Sequence, residues 1–257
     1  MPVLTNWNLS LDADQVLRAI GADPQVIRHR RPALLETAEW ALKEGMPLLD
    51  AKVLHRQAAV KGFRHERLEL DLPHGVDGQP VLKGPLIAQH LGPAEQVILL
   101  VCTIGAELEN IVSDLMQTDP LLGWTMDGLG SAAVEALSLE ACNHFEAQAA
   151  LNGLHTSLPL SPGMIGWPLE QGQPQIFNLV DGSEARISLT SSGQMIPRKT
   201  LSMAIGVGAK IGRSGRTCDF CSLNETCQYQ NHYAPVLNQG KLEYTKTSPP
   251  ISTDRAA

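Results

Sequence analysis

Gln96-Val-Ile-Leu-Leu-Val-Cys102 is an unbroken apolar run set between Gly92-Pro93 and Thr103-Ile-Gly105. A strand with one wet face alternates polar and apolar residues, so a run without alternation predicts a strand buried on both faces. Such a strand lies in the middle of a sheet, and that sheet needs cover on each side. One piece of cover is legible. From Leu121 to Leu151 the chain is almost entirely helix-forming, and Val134, Leu137, Ala141, Phe145 and Ala149 recur at spacings of three and four, which gives a core-facing stripe. The small residues Gly128, Gly130, Ser131, Ala132 and Ala133 let that helix approach another backbone closely.

The remaining pattern mixes both element types. Leu11–Ile20 predicts a short helix capped by Asp12 and stopped at Gly21. Pro24 opens a longer helix through Gly45, split or bent at Pro32. Lys52–Leu72 predicts two strands, Gly75–Gly78 a turn, and Lys83–Leu91 a short helix. Ala106–Met116 predicts a helix whose positive end is matched by Glu107 and Glu109. Beyond the Pro- and Gly-rich stretch from Gly153 to Pro168, Gln171–Val180 predicts a final helix. Ala185–Leu189 and Thr200–Val207 predict two strands that bracket Met195–Lys199. With no regular βαβ rhythm, the expected class is α+β: a central, mostly antiparallel twisted sheet flanked by helices, with a helical N-terminal segment and a C-terminal cysteine cluster. The expected division is 1–50 helical, 51–210 the α+β domain, 211–236 the cysteine segment and 237–257 a disordered tail, since Gly240–Ala257 lacks apolar periodicity and contains Pro249-Pro250.

The net charge of −7 argues against a nucleic-acid or anionic-membrane partner, which would want clustered Lys and Arg. No run of 18 apolar residues exists, and Met1–Trp7 carries no basic region followed by an apolar one, so a cytoplasmic protein is expected. The count of 5 cysteines is odd. In a reducing compartment, Cys102 and Cys142 within apolar patterns read as buried thiols.

Four stretches can carry chemistry. Ser161-Pro162-Gly163 places a Gly where the backbone can approach a ligand and its amide can donate, or it is simply a surface turn. Cys218, Cys221 and Cys227 form Cys-x2-Cys-x5-Cys, a set of three thiolates. With His232 the set suits zinc; with an open position it suits a four-iron cluster; otherwise these are free thiols or a labile disulfide. Arg198 and Lys199 can meet a carboxylate or phosphate, or are a solvated charge pair. Asp127 and Glu135 lie eight residues apart, on one side of a continuous helix, where they can meet a cationic ligand end; alternatively Asp127 caps the helix that follows.

In this order, the stretches resemble the standalone activation (reactivation) domains of cobalamin-dependent methionine synthase. The matching segments are Val97–Gly105, Asp127–Glu146, Ser161–Gly163, Met195–Lys199, Thr200–Gly208 and Cys218–Cys227. The resemblance implies an α+β domain that binds S-adenosylmethionine through Asp127, Glu135, Ser161, Pro162, Gly163, Met164, Arg198 and Lys199. It implies reductive methylation of a corrinoid carried by a partner protein or methyltransferase, with flavodoxin or ferredoxin as electron donor. The chain would then be an activation subunit rather than a complete enzyme. Cys218, Cys221 and Cys227 would hold an iron–sulfur cluster or zinc. An alternative is a non-catalytic, metal- or iron–sulfur-containing adaptor that docks on a corrinoid protein and relays electrons. The chain departs from the family at two positions: Pro159 stands where relatives have an Arg, and Met164 where they have a Tyr. Met164 and Trp167 can still cover the ligand, and Arg186, Arg198 and Lys199 are the candidates for its carboxylate.

Overall fold

The computed structural model describes residues 2–72, 79–212 and 215–224. In chain order the elements are β1 (Val3–Leu4), α1 (Ala13–Ala19), α2 (Pro24–Arg30), α3 (Pro32–Gly45), β2 (Lys52–Arg64), β3 (Arg67–Asp71), β4 (Val81–Lys83), α4 (Pro85–Leu91) and β5 (Gln96–Thr103). There follow α5 (Glu107–Thr118), α6 (Pro120–Leu151), β6 (His155–Thr156), α7 (Leu169–Phe177), β7 (Ser188–Leu189), β8 (Met195–Ile196) and β9 (Thr200–Gly208). The main sheet runs β4-β3-β2-β5-β9-β6, with β1 beside β2, and each of these pairings is antiparallel. The fold is α+β, as the sequence predicts.

β5 is the central strand, and it is buried on both faces. Ile98, Leu100 and Cys102 join Met203 and Ile205 of β9 in a core capped by α1, α3, α5 and α6. Val97, Leu99 and Val101 join Leu54 and Ala204 in a second core under α4, α7 and Trp167. Full burial of each such aliphatic side chain contributes about 1.5–3 kcal/mol. An antiparallel sheet usually leaves one face wet, and here helices and loops cover both. The stripe on α6 packs as expected, and its glycines are needed: a Cβ at Gly128 would lie 2.3 Å from Ile20 Cγ2, and one at Gly130 2.8 Å from Leu108 Cδ2. α1–α3 close over α6 in the first core rather than forming a core of their own.

Local signals set the boundaries. Asp12 and Gln15 form a capping box on α1. Pro32, which has no amide to donate, splits the long helix after Arg31 and starts α3 at its first position. Asp127 does not cap a helix. α6 starts seven residues earlier at Pro120, where the Asp119 side chain accepts from the amides of Leu121 and Leu122, so Asp127 is a mid-helix residue. Lys83 ends a strand instead of opening a helix, and of Ala185–Leu189 only the last two residues pair as a strand. The turn expected at 75–78 and the tail expected at 237–257 lie outside the described residues. No helix among the described residues is long and apolar enough to cross a membrane.

Three titratable groups, His90 buried and His55 and Glu135 half-buried, give stability a pH dependence. His55 Nδ1 and His90 Nε2 are buried without hydrogen-bond partners. Burial pushes the basicity of both rings down, and for His55 the charge of His144 adds to the effect. The unfolded chain therefore binds these two protons first, and stability falls as pH drops below about 6.5. Burial pushes the Glu135 carboxyl up, which works in the opposite sense: the folded state takes that proton first, so Glu135 costs stability at neutral pH and less under acid. The histidine contribution is a loss of stability between pH 7.5 and 5.5, measured by urea unfolding at the two values. A His55→Phe, His90→Phe double variant should lose less over that interval; an equal loss in both proteins would refute the assignment.

Candidate functional site

Two clusters gather the residues singled out in the sequence. The first is the 161–167 loop, which follows a bridge between Leu160 and Ala204 of β9, with reciprocal hydrogen bonds of 2.9 and 2.8 Å. It closes on itself. The Gly163 N–H donates to the Trp167 carbonyl at 2.8 Å, the Trp167 N–H to the Met164 carbonyl at 2.9 Å, and the Met164 N–H to the Ser161 carbonyl at 3.2 Å. The Ser161 N–H reaches the Met164 sulfur at 3.4 Å. Gly163 and Gly166 have φ of 99° and 87°, in the left-handed region that favours glycine. Ser161-Pro162-Gly163 is therefore a self-bonded turn, and the Gly163 amide serves the loop rather than pointing outward.

Trp167 holds this loop to the body. Its ring is fully buried between Gly84 and Gly172, and its Nε1–H donates to Gln175 Oε1 at 3.2 Å. Gln175 also accepts from the Lys83 amide and donates to the Lys83 carbonyl, so one glutamine joins α7, β4 and the loop. Met164 packs on the second core, while Ile165 and Leu169 stay exposed.

The second cluster surrounds Lys199. Its ammonium lies 2.8 Å from Asp127 Oδ1 and donates to Ser131 Oγ at 2.8 Å. Its stem passes Gly130. Its backbone N–H donates to Glu109 Oε1 at 2.9 Å, and Glu109 Oε2 lies 3.8 Å from Arg198 Nε. The Lys199 side chain is only 16% exposed against 57% for Arg198, so the two are not an ordinary solvated pair. Lys199 is committed to α6, and Arg198 faces water. Asp127 already has its cation. Glu135, two turns further along α6, is half-buried; burial above all, then Cys142 and Glu135, pushes the Cys102 thiol well up. Glu109 and Ser131 are the site neighbours that sequence reasoning missed. Glu109 stood out only as a helix-end carboxylate, and nothing in the spacing ties it to residues 90 positions away.

From the Leu160–Ala204 bridge the antiparallel chain heads toward the end of β9 that Lys199 starts, so both clusters lie toward that end of the strand. They sit on different faces of the sheet, and among the described residues no hydrogen bond or ion pair joins them.

The cysteine segment docks on the first cluster. Residues Thr217–Phe220 form a 3-10 turn closed by a Cys221 N–H to Cys218 carbonyl bond of 3.1 Å. The Phe220 carbonyl accepts from the Ile165 N–H at 2.8 Å, and the Phe220 ring meets the buried His90 edge-on at 4.6 Å between centroids. Burial acts to raise the Asp219 carboxyl, but hydrogen bonds from the Arg216 side chain and backbone and its charge hold it below the usual carboxylate range. Cys218 and Cys221 are half-buried free thiols. Cys227 and the suggested ligand His232 lie outside the described residues, among which no group of three or more His, Cys, Asp and Glu is arranged to hold a metal.

No protein-family model matches the chain, and no curated protein matches it in sequence. Among solved structures, the chain is similar to a crystal structure of the MetH reactivation domain bound to AdoHcy. The TM-score is 0.59 at 12% identity, over 84% of this chain and 81% of that one. At that identity the likeness is one of fold.

Proposed function

We propose that this protein reactivates a corrinoid methyltransferase of the methionine synthase type, by holding S-adenosylmethionine beside a corrinoid carried on a partner protein. The observation that carries this reading is the fold likeness, over most of both chains, to a reactivation domain bound to AdoHcy, the molecule left when S-adenosylmethionine has given up its methyl group. The Ser161-Pro162-Gly163 loop and the Arg198-Lys199 segment, in family order along the chain, support it.

The chemistry asks little of the protein itself. The sulfonium supplies the methyl group, and the corrinoid cobalt, reduced by a donor such as flavodoxin or ferredoxin, accepts it. The chain has to position the ligand and keep water out. In this reading Met164 and the outer surface of the loop cover the ligand. Because Lys199 is held by Asp127, the exposed Arg186 and Arg198 are the cations left for the carboxylate.

Calorimetric titration of S-adenosylmethionine into the protein should show saturable binding with a dissociation constant below about 1 mM. Folded protein that takes up neither S-adenosylmethionine nor AdoHcy would defeat the proposal. That outcome would favour the second reading, an adaptor that caps or relays electrons to a corrinoid protein. Pro159 and Met164, in place of an Arg and a Tyr, are the observations on that side.

A further inference from the structure

We propose that Cys218 and Cys221 form a reversible thiol switch that acts on the 161–167 loop through Phe220. The proposal rests on the reading of that loop as the ligand site, and it adds a regulation of the same site.

The geometry starts with the turn. The hydrogen bond from the Cys221 N–H to the Cys218 carbonyl makes the two cysteines the first and last residues of a four-residue turn. Residues so related have Cα atoms less than about 7 Å apart, which is the span a disulfide can bridge. Both thiols are free, and neither is fully buried. A small disulfide reagent can therefore reach them, and the bridge can form without unfolding the segment.

The turn also has an output. Phe220 lies inside the four residues that the bridge would close into a ring. Its side chain packs on the second core and against His90, and its carbonyl holds the Ile165 N–H. Ile165 follows Met164 directly in the ligand loop. Gly215, at φ 84°, packs against the Phe220 ring, where an added Cβ would lie 3.2 Å from Cε2. The ring is thus seated from two sides. A disulfide imposes its own Cβ–Cβ distance and a dihedral near ±90° on Cys218 and Cys221. The residues between them must adjust, and the Phe220 carbonyl is the nearest group with a job outside the turn.

The electron balance is simple. Two thiols lose two protons and two electrons, and one S–S bond forms. A low-molecular-weight disulfide such as glutathione disulfide takes up both and leaves as two thiols.

The test uses the full chain, oxidised with glutathione disulfide and re-reduced with dithiothreitol. Peptide mass mapping locates the bridge, and amide hydrogen exchange follows the 163–167 peptide. The expected result is a Cys218–Cys221 bridge with exchange at Ile165 faster by about tenfold, the size of losing one backbone hydrogen bond, and reversed on reduction. Phe220→Ala should exchange fast in both redox states, and Cys218→Ser should stay slow and ignore the oxidant. A bridge that involves Cys227, no bridge, or unchanged exchange at Ile165 would overturn the switch. Titration of S-adenosylmethionine into both forms keeps the two claims apart. Different affinities support both. No binding to either form removes the ligand reading, and the exchange data still decide the switch.

Discussion

Trp167→Ala should lower the unfolding free energy by about 3–5 kcal/mol, the range for emptying a large aromatic site. Typical domains have about 5–15 kcal/mol in total, so the variant should remain folded with little margin. The size follows from the position. The indole fills the space between Gly84 and Gly172, is fully buried in the second core, and receives the Gly163 N–H on its own carbonyl. Both glycines lack a Cβ that could spread into the vacancy, so the cavity collapses poorly. Urea denaturation measures the effect directly. Trp167→Phe separates its two components. It keeps most of the buried area and loses only the bond to Gln175, for about 1 kcal/mol. A loss below that in the alanine variant would mean that the ring does not hold the loop.

The second large effect is a gain. Pro159→Arg should tighten S-adenosylmethionine binding by about 10–100-fold, because a charge-assisted bond to the ligand's carboxylate is worth about 1.5–3 kcal/mol. Pro159 is half-buried between the buried Leu158 and Leu160, just before the 161–167 loop. An arginine there can lay its stem along the surface and keep its head in water. Methylthioadenosine, which has the adenosine and the sulfur but no carboxylate, is the control, and its affinity should not change. Equal gains for both ligands would show that the arginine acts through packing, and no gain for either would place the carboxylate elsewhere.

Elements with a strong period were legible, and elements fixed by distant partners were not. β5 announced itself because burial on both faces removes the alternation, and α6 because its stripe runs for several turns. Pro32 split the helix for a purely local reason. β1, β4, β6 and β8 have two or three residues each, too few to carry a period, and they exist because a neighbouring strand offers an open edge. The site divides in the same way. The loop glycines were visible because a left-handed backbone leaves a residue-type signature. The use made of the Gly163 amide was not, since it depends on Trp167 folding back. The sequence points Asp127 to a cationic ligand end or a helix cap, and Lys199 to an anionic group or solvent, yet the two pair with each other across 72 positions of chain. Nothing in either sequence neighbourhood specifies that pairing. The docking of Phe220 beside Ile165 is of the same kind.

The double burial of β5 has a consequence for how such a protein can change over generations. Leu99 and Leu100 are joined by a peptide bond, yet they belong to different cores. The layer under α6 can exchange side chains among its own members while the loop, the tryptophan and the cysteine turn keep their surroundings on the other layer. Strict complementarity is then required only within a layer. A chain built in this way can change most of its residues and keep its fold, and likeness of fold is what it shares at 12% identity with the solved structure it matches.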